Sequence, residues 1–186
     1  MRAFIRPAAL LALFVLPAAF ADEAAPKAPA EVPAYNVNDY YQIHQDKRIH
    51  VFDDAGTFKE FLSSGESPYR LTRIGAGPKG ETIVFGLRGM DKDKKEENIG
   101  GAALYDGKTQ GASDSFFAVL MDDKRIHVFE DWAGFAAYRE SGEAAFRYTD
   151  IGGGPNGQTV VYVFGKANKE KKPDEMVARF KSLYAR

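Results

Sequence analysis

Asp46-Lys47-Arg48-Ile49-His50-Val51-Phe52 occurs twice in this chain: residues 123–129 have the same seven residues in the same order. The offset of 77 residues continues without a gap through Ser64-Gly65-Glu66 and residues 141–143, and about half of residues 46–89 are identical to their counterparts. Self-similarity at a fixed offset indicates a duplicated structural unit. We therefore expect two copies of one small fold.

The first copy has the pattern of strand, strand, helix, strand and strand. Residues 40–45 and 48–52 are short apolar or alternating runs on either side of a turn, which indicates a β-hairpin. Asp54 and Gly65 are typical N-cap and C-cap residues, and apolar side chains recur between them at helical spacing. The glycine-rich residues 75–80 then separate two further strands. The second copy has the same signals 77 residues later.

These patterns predict an α+β fold. We expect two tandem ββαββ repeats, each an antiparallel sheet with one helix, packed with pseudo-two-fold symmetry, plus a C-terminal helix that begins near Pro173. A unit of this size has a thin core, so the copies should pack on each other. The predicted organisation is a signal peptide over 1–21, an Ala/Pro-rich flexible leader over 22–34, repeat 1 over 35–90, a linker over 91–115, repeat 2 over 116–167 and a C-terminal helical segment over 168–186.

Composition excludes several classes of function. The 186 residues include 25 Lys+Arg against 26 Asp+Glu, so the chain lacks the basic surplus that nucleic-acid binding or an anionic membrane surface favours. It has no cysteine, which excludes disulfides, thiolate nucleophiles and cysteine-ligated metal centres.

The first residues have the features of an export signal. Arg2 and Arg6 precede an apolar run over 8–20, and Ala19-Phe20-Ala21 is an A-x-A cleavage pattern. The run is shorter than the roughly 20 residues of a membrane span, so we expect no stable membrane anchor. We expect cleavage after Ala21 and a periplasmic location, with secretion from the cell as the alternative.

The glycine-rich segment Gly75-Ala76-Gly77-Pro78-Lys79-Gly80 matches the pattern G-x-G-x-x-G of dinucleotide-binding sites. Such a site requires a helix directly after the glycines, so that the phosphates meet free N–H groups. The residues that follow, 82–85, are typical of a strand. The segment is therefore interpreted as a hairpin turn, and no cofactor is expected.

Three histidines are candidate ligand-binding residues. His50 and His127 occupy the same position in the two copies, and His44 lies on the strand that should pair with that of His50. A pair of imidazoles across a pseudo-two-fold axis could bind a metal ion or a small ligand. Repetition alone also explains the pair, and His44 is replaced by Met121 in the second copy, so hydrogen-bonded strand histidines are the simpler interpretation.

Arg70 and Arg147 are the next candidates, since each is followed two residues later by a threonine on the same predicted strand face. A guanidinium there could bind a carboxylate or phosphate through two hydrogen bonds. It could equally pair with Glu66 or Glu143 just upstream. Trp132 is a further candidate, because tryptophan often anchors protein interfaces.

No catalytic signature is present, so we expect no enzyme. The first hypothesis is an exported binding protein that acts on another periplasmic or secreted protein, as an inhibitor, an immunity protein or an envelope-associated factor. The alternative is a metal-binding or small-ligand-binding protein that uses His50 and His127. A hydrolase with paired carboxylates is the remote third possibility.

Overall fold

The computed structural model describes residues 35–165 and 173–184. The expected signal peptide and the expected leader lie outside these residues. The strands are β1 (Asp39–Gln45), β2 (Arg48–Phe52), β3 (Tyr69–Arg73), β4 (Thr82–Leu87), β5 (Phe117–Met121), β6 (Arg125–Phe129), β7 (Arg147–Asp150) and β8 (Thr159–Val163). The helices are α1 (Ala55–Ser64), α2 (Gly100–Tyr105), α3 (Trp132–Ser141) and α4 (Asp174–Ser182), and short 3₁₀ turns cover Gly89–Asp91 and Glu96–Asn98.

All eight strands form one mixed sheet, in the order β3-β4-β2-β1-β5-β6-β8-β7. The described residues therefore form an α+β fold with four helices, one of them C-terminal. The expectation of antiparallel sheets is wrong: only the four hairpins are antiparallel, whereas β2–β4, β6–β8 and β1–β5 are parallel pairs. The reason lies in the connection after β2. β3 begins at the end of the sheet where β2 ends and runs antiparallel to it, so that after the glycine turn β4 runs beside β2 in the same direction.

Each face of the sheet carries two of the helices that the structure describes. The first face, as we call it, packs Tyr41 and Phe52 against Phe58 of α1 in a core that includes Phe180 of α4. The second face packs Tyr40 and Val51 in a core that contains side chains of α2 and α3. Side chains alternate along a strand, so the neighbouring tyrosines enter opposite cores, where each is at most 1% exposed. Within the described residues, no helix has the length and apolar character needed to cross a membrane.

The predicted helix caps are confirmed. The Asp54 carboxylate accepts the Thr57 N–H at 2.9 Å, and Asp131 accepts the Gly134 N–H in the same way. Gly65 ends α1 with φ of 73°, a left-handed conformation that favours glycine, and Gly142 ends α3 likewise.

The predicted glycine turn is confirmed as well. Residues 74–81 connect β3 to β4, and the Gly77 N–H donates to the Glu81 carbonyl at 2.9 Å. No helix follows the glycines, so the residues do not form a dinucleotide-binding turn.

The region expected as a linker contains a packed helix. α2 is buried along most of its length, and the Gly101 N–H at its start donates to Oδ2 of Asp53 at 2.9 Å. Arg73 of β3 forms ion pairs with Glu96 before α2 and with Asp106 after it. Residues 96–106 therefore belong to the second face.

Candidate functional site: two grooves lined by histidine and arginine

Two surface grooves contain the histidines and arginines singled out from the sequence. The first groove has a volume of about 560 Å³ and lies on the first face. Its polar lining consists of Arg48, His50, Glu66, Ser67, Arg70, Thr72 and Thr82. The second groove has a volume of about 540 Å³, and its polar lining includes Arg125, His127, Glu143, Arg147, Thr149 and Thr159. Each residue of the second set lies 77 positions after its counterpart in the first.

Strand register brings the first set together. Across β3, β4 and β2, Thr72 pairs with Val84, which pairs with His50. Side chains of residues in register share a face, and the next row on that face places Arg48 beside Thr82. Arg70 lies one row away in the other direction, opposite Gly86. The loop after α1 supplies the wall that contains Glu66.

The second groove is assembled in the same way on β7, β8 and β6. Thr149 pairs with Val161, which pairs with His127, and Arg125 pairs with Thr159. His127 lies against Tyr138 of α3, so this groove is on the second face.

The fold does not bring the two candidate histidines together. β1 and β5 lie between β2 and β6, which separates the strands by about 14 Å at the usual spacing. His50 packs on Phe61 of α1 on the first face, and His127 packs on the opposite face. A metal site shared by these two imidazoles is therefore not formed.

His44 does not join His50 either. It is in register with Ile49, whose side chain enters the second core, whereas His50 is in register with Ile43 of the first core. The exposed His44 ring instead contacts the Gln42 amide. In the part of the chain that the structure describes, no cluster of three or more His, Asp or Glu side chains could hold a metal ion.

The surroundings of both groove histidines favour the neutral form of the imidazole. Burial lowers the pKa of His50, and the charge of Arg48 lowers it further, against a smaller opposite effect of Asp46. Burial and Arg125 lower the pKa of His127 in the same way.

Arg70 and Arg147 each donate one guanidinium N–H to a backbone carbonyl. Arg70 donates to the Ser67 carbonyl at 3.2 Å, and Arg147 donates to the Ala144 carbonyl at 3.3 Å. Within the described residues neither forms the ion pair with Glu66 or Glu143 that the sequence also allowed. A guanidinium has five N–H donors, so most of them face the groove or solvent.

Trp132 lies apart from both grooves. It is the first residue of α3 and packs edge-on against Phe116, with ring centroids 5.3 Å apart. It lines a different cleft of about 730 Å³ at the start of that helix.

Two pairs of groove residues were not among the candidates from the sequence. Arg48 and Arg125 were interpreted as solvated ends of hairpins, and Thr82 and Thr159 were not singled out. Their signal was present, since Arg48 and His50 are two positions apart on one strand and therefore share a face. Thr82 and Thr159 follow the glycine turns of the two copies. Only the parallel pairings β2–β4 and β6–β8 place them beside Arg48 and Arg125.

Comparison of the chain with protein-family models, with curated proteins and with solved structures finds no match.

Proposed function

We propose that this protein is an exported, non-enzymatic binding protein made of two tandem ββαββ units, and that each unit binds an anionic ligand in its groove. The observation that carries the proposal is the recurrence of one polar set, two Arg, one His, two Thr and one Glu, in both grooves, where the two arginines outnumber the single carboxylate. Each volume falls within the roughly 300–1,000 Å³ range of small-ligand sites.

Element positions support the duplication. α1 and α3 begin 77 residues apart, as do β2 and β6, and the strand order β3-β4-β2-β1 is followed by its counterpart in reverse, β5-β6-β8-β7. We propose a pseudo-two-fold axis in the plane of the sheet, between the parallel strands β1 and β5. Such an axis exchanges the two faces, which accounts for the position of α1 on one face and α3 on the other.

The chemistry of the grooves favours an anion as ligand. Arginine binds carboxylate or phosphate through parallel charge-assisted hydrogen bonds, and threonine hydroxyls can donate to the same oxygens. Within the described residues neither imidazole is hydrogen-bonded to a carboxylate, so neither is oriented as in a catalytic triad. We therefore propose binding rather than catalysis.

A protein partner is the second candidate, as an inhibited enzyme, a neutralised toxin or an envelope component. Ile74 and Ile151 favour it, because they are 88% and 86% exposed at the glycine turns. β4 and β8 run in the same direction, so both turns lie at one end of the sheet.

Nuclear magnetic resonance titration with acetate and inorganic phosphate tests the anion proposal. We expect amide signals of both grooves to shift, and the shifts to disappear in the Arg70→Gln/Arg147→Gln variant. Lys95→Gln/Lys181→Gln removes the same charge from exposed positions outside the grooves and should bind like the parent. An absence of shifts with both anions would refute the proposal.

The protein-partner candidate predicts instead that Ile74→Ser/Ile151→Ser abolishes a cross-linked complex in cells and that the arginine variant keeps it.

A further inference from the structure

The two grooves share their charged residues but differ in the side chain that packs on the histidine. In the first groove this is Phe61, whose ring centroid lies 4.5 Å from that of His50. In the second it is Tyr138, whose hydroxyl lies 3.2 Å from Nε2 of His127. The first groove is therefore more apolar, and its imidazole has no hydrogen-bond partner at Nδ1.

The apolar lining of the first groove continues along its length. Phe61, Val84 and Ile74 all line it, whereas the counterpart of Ile74, Ile151, does not line the second groove. Ile74 is 88% exposed, so it leaves apolar surface for a ligand to cover. Arg70 and Ile74 are four residues apart on and just after β3, about 13 Å in an extended chain. The groove thus has a cationic position and an apolar position within the length of a small molecule.

The charge balance favours a ligand with one negative charge. Arg48 and Arg70 line the groove together with Glu66, so one positive charge is left uncompensated while His50 is neutral. A single carboxylate complements this charge better than a phosphate dianion does.

The Arg70 end also contains an unused hydroxyl. Ser67 is 5% exposed, and its Oγ has no hydrogen-bond partner. Rotation of this side chain toward the groove would supply a donor for a carboxylate oxygen held by Arg70. In the second groove the same position is Ala144, which has no donor.

We infer that the first groove is a site for a small monocarboxylate with an apolar body, such as an aliphatic or aryl carboxylate. The carboxylate accepts hydrogen bonds from Arg70, and the apolar body covers Phe61, Val84 and Ile74. This inference rests on the proposed function of the grooves as anion sites, and it assigns the ligand class to one of them.

Isothermal titration calorimetry of the protein with octanoate, acetate and inorganic phosphate tests the inference. We expect one octanoate site per chain, with at least tenfold tighter binding than acetate, because each methylene removed from water should tighten binding about fourfold. Arg70→Gln should weaken octanoate binding at least tenfold, and Arg147→Gln should change it less than twofold.

Ile74→Ser and Ile151→Ser form a matched pair, since both side chains are exposed and both variants should fold. Ile74→Ser should weaken octanoate binding about threefold or more and leave acetate binding unchanged, while Ile151→Ser should change neither. Three results would overturn the inference and leave the proposed function intact: two equivalent octanoate sites, equal affinities for acetate and octanoate, or equal effects of the paired isoleucine variants on octanoate binding. If none of the three anions binds, the proposed function fails with it.

Discussion

Replacement of Gly100 by Ala should destabilise the protein, although alanine is the better helix former. Gly100 is the first residue of α2 and is buried. A Cβ atom there would lie 2.6 Å from Oδ2 of Asp53 and well inside contact distance of the Asn36 carbonyl oxygen. Neither neighbour moves freely, because Asp53 accepts the Gly101 N–H and the Asn36 side chain donates to the Asp53 carbonyl.

The size of the effect follows from three contributions. An added carbon in a packed site costs about 1–3 kcal/mol, and loss of the hydrogen bond between Asp53 and Gly101 costs about 1 kcal/mol more. The higher helix propensity of alanine offsets at most about 1 kcal/mol. The free energy of unfolding should therefore fall by about 2 kcal/mol.

Urea unfolding followed by circular dichroism measures this change. With a slope of about 2 kcal/mol per molar urea, the midpoint should fall by about 1 M. Gly101→Ala is the matched control, because its added Cβ would be no closer than 3.5 Å to the nearest atom outside its own helix turn. That variant should equal the parent or exceed it by up to about 1 kcal/mol. An unchanged midpoint for Gly100→Ala would refute the packing of α2 described above.

Three further predictions concern the core, the histidines and export. Phe135 is fully buried, and its ring packs against Tyr40, Phe116 and Phe129. Phe135→Ala should therefore lower the free energy of unfolding by about 3–5 kcal/mol. A loss below about 1 kcal/mol in urea titration would contradict this. Folding lowers the pKa of both groove histidines, so the unfolded chain takes up protons at a higher pH than the folded protein does. The free energy of unfolding should therefore fall as the pH decreases below about 6.5. Replacing both histidines by glutamine should flatten that decrease in pH-dependent thermal unfolding. Mass spectrometry of the protein from the periplasmic fraction should identify Asp22 as the first residue, and a cytoplasmic protein that retains Met1 would argue against export.

The local elements were predictable because their signals are local. The N-cap carboxylates, the left-handed glycines and the period of apolar residues each act within one or two turns of chain, and the helices α1 and α3 begin and end where these signals lie. The sequence indicated at most one short helix near Glu97, whereas α2 begins at Gly100, and its sequence Gly-Gly-Ala-Ala-Leu-Tyr starts with two poor helix formers. Close packing against Asn36 and Asp53 explains the first of these glycines, and such contacts are not visible in the sequence.

Membership of the candidate site was predictable only in part. The matched positions of His50 with His127 and of Arg70 with Arg147 indicated the polar residues, but not which of them share a surface. The parallel pairing of β2 with β4 brings Arg70 and His50 into one groove, and it depends on the crossover through α1. The pairing of β1 with β5 separates His50 from His127, which the sequence had suggested as a pair, and places them on opposite faces.

The amino-acid sequence by itself determined the strands, the helices α1, α3 and α4, the caps of α1 and α3, and the matched positions of His50 with His127 and of Arg70 with Arg147. Hydrogen-bonding partners three or four residues away and the alternation of side chains are sufficient for these features. The tertiary structure alone decided that β1 pairs with β5, that one sheet has eight strands, and that the two grooves open on opposite faces. Those properties depend on pairing between residues far apart in the chain. The local sequence pattern of a strand is the same whichever neighbouring strand it pairs with, so it does not specify that neighbour.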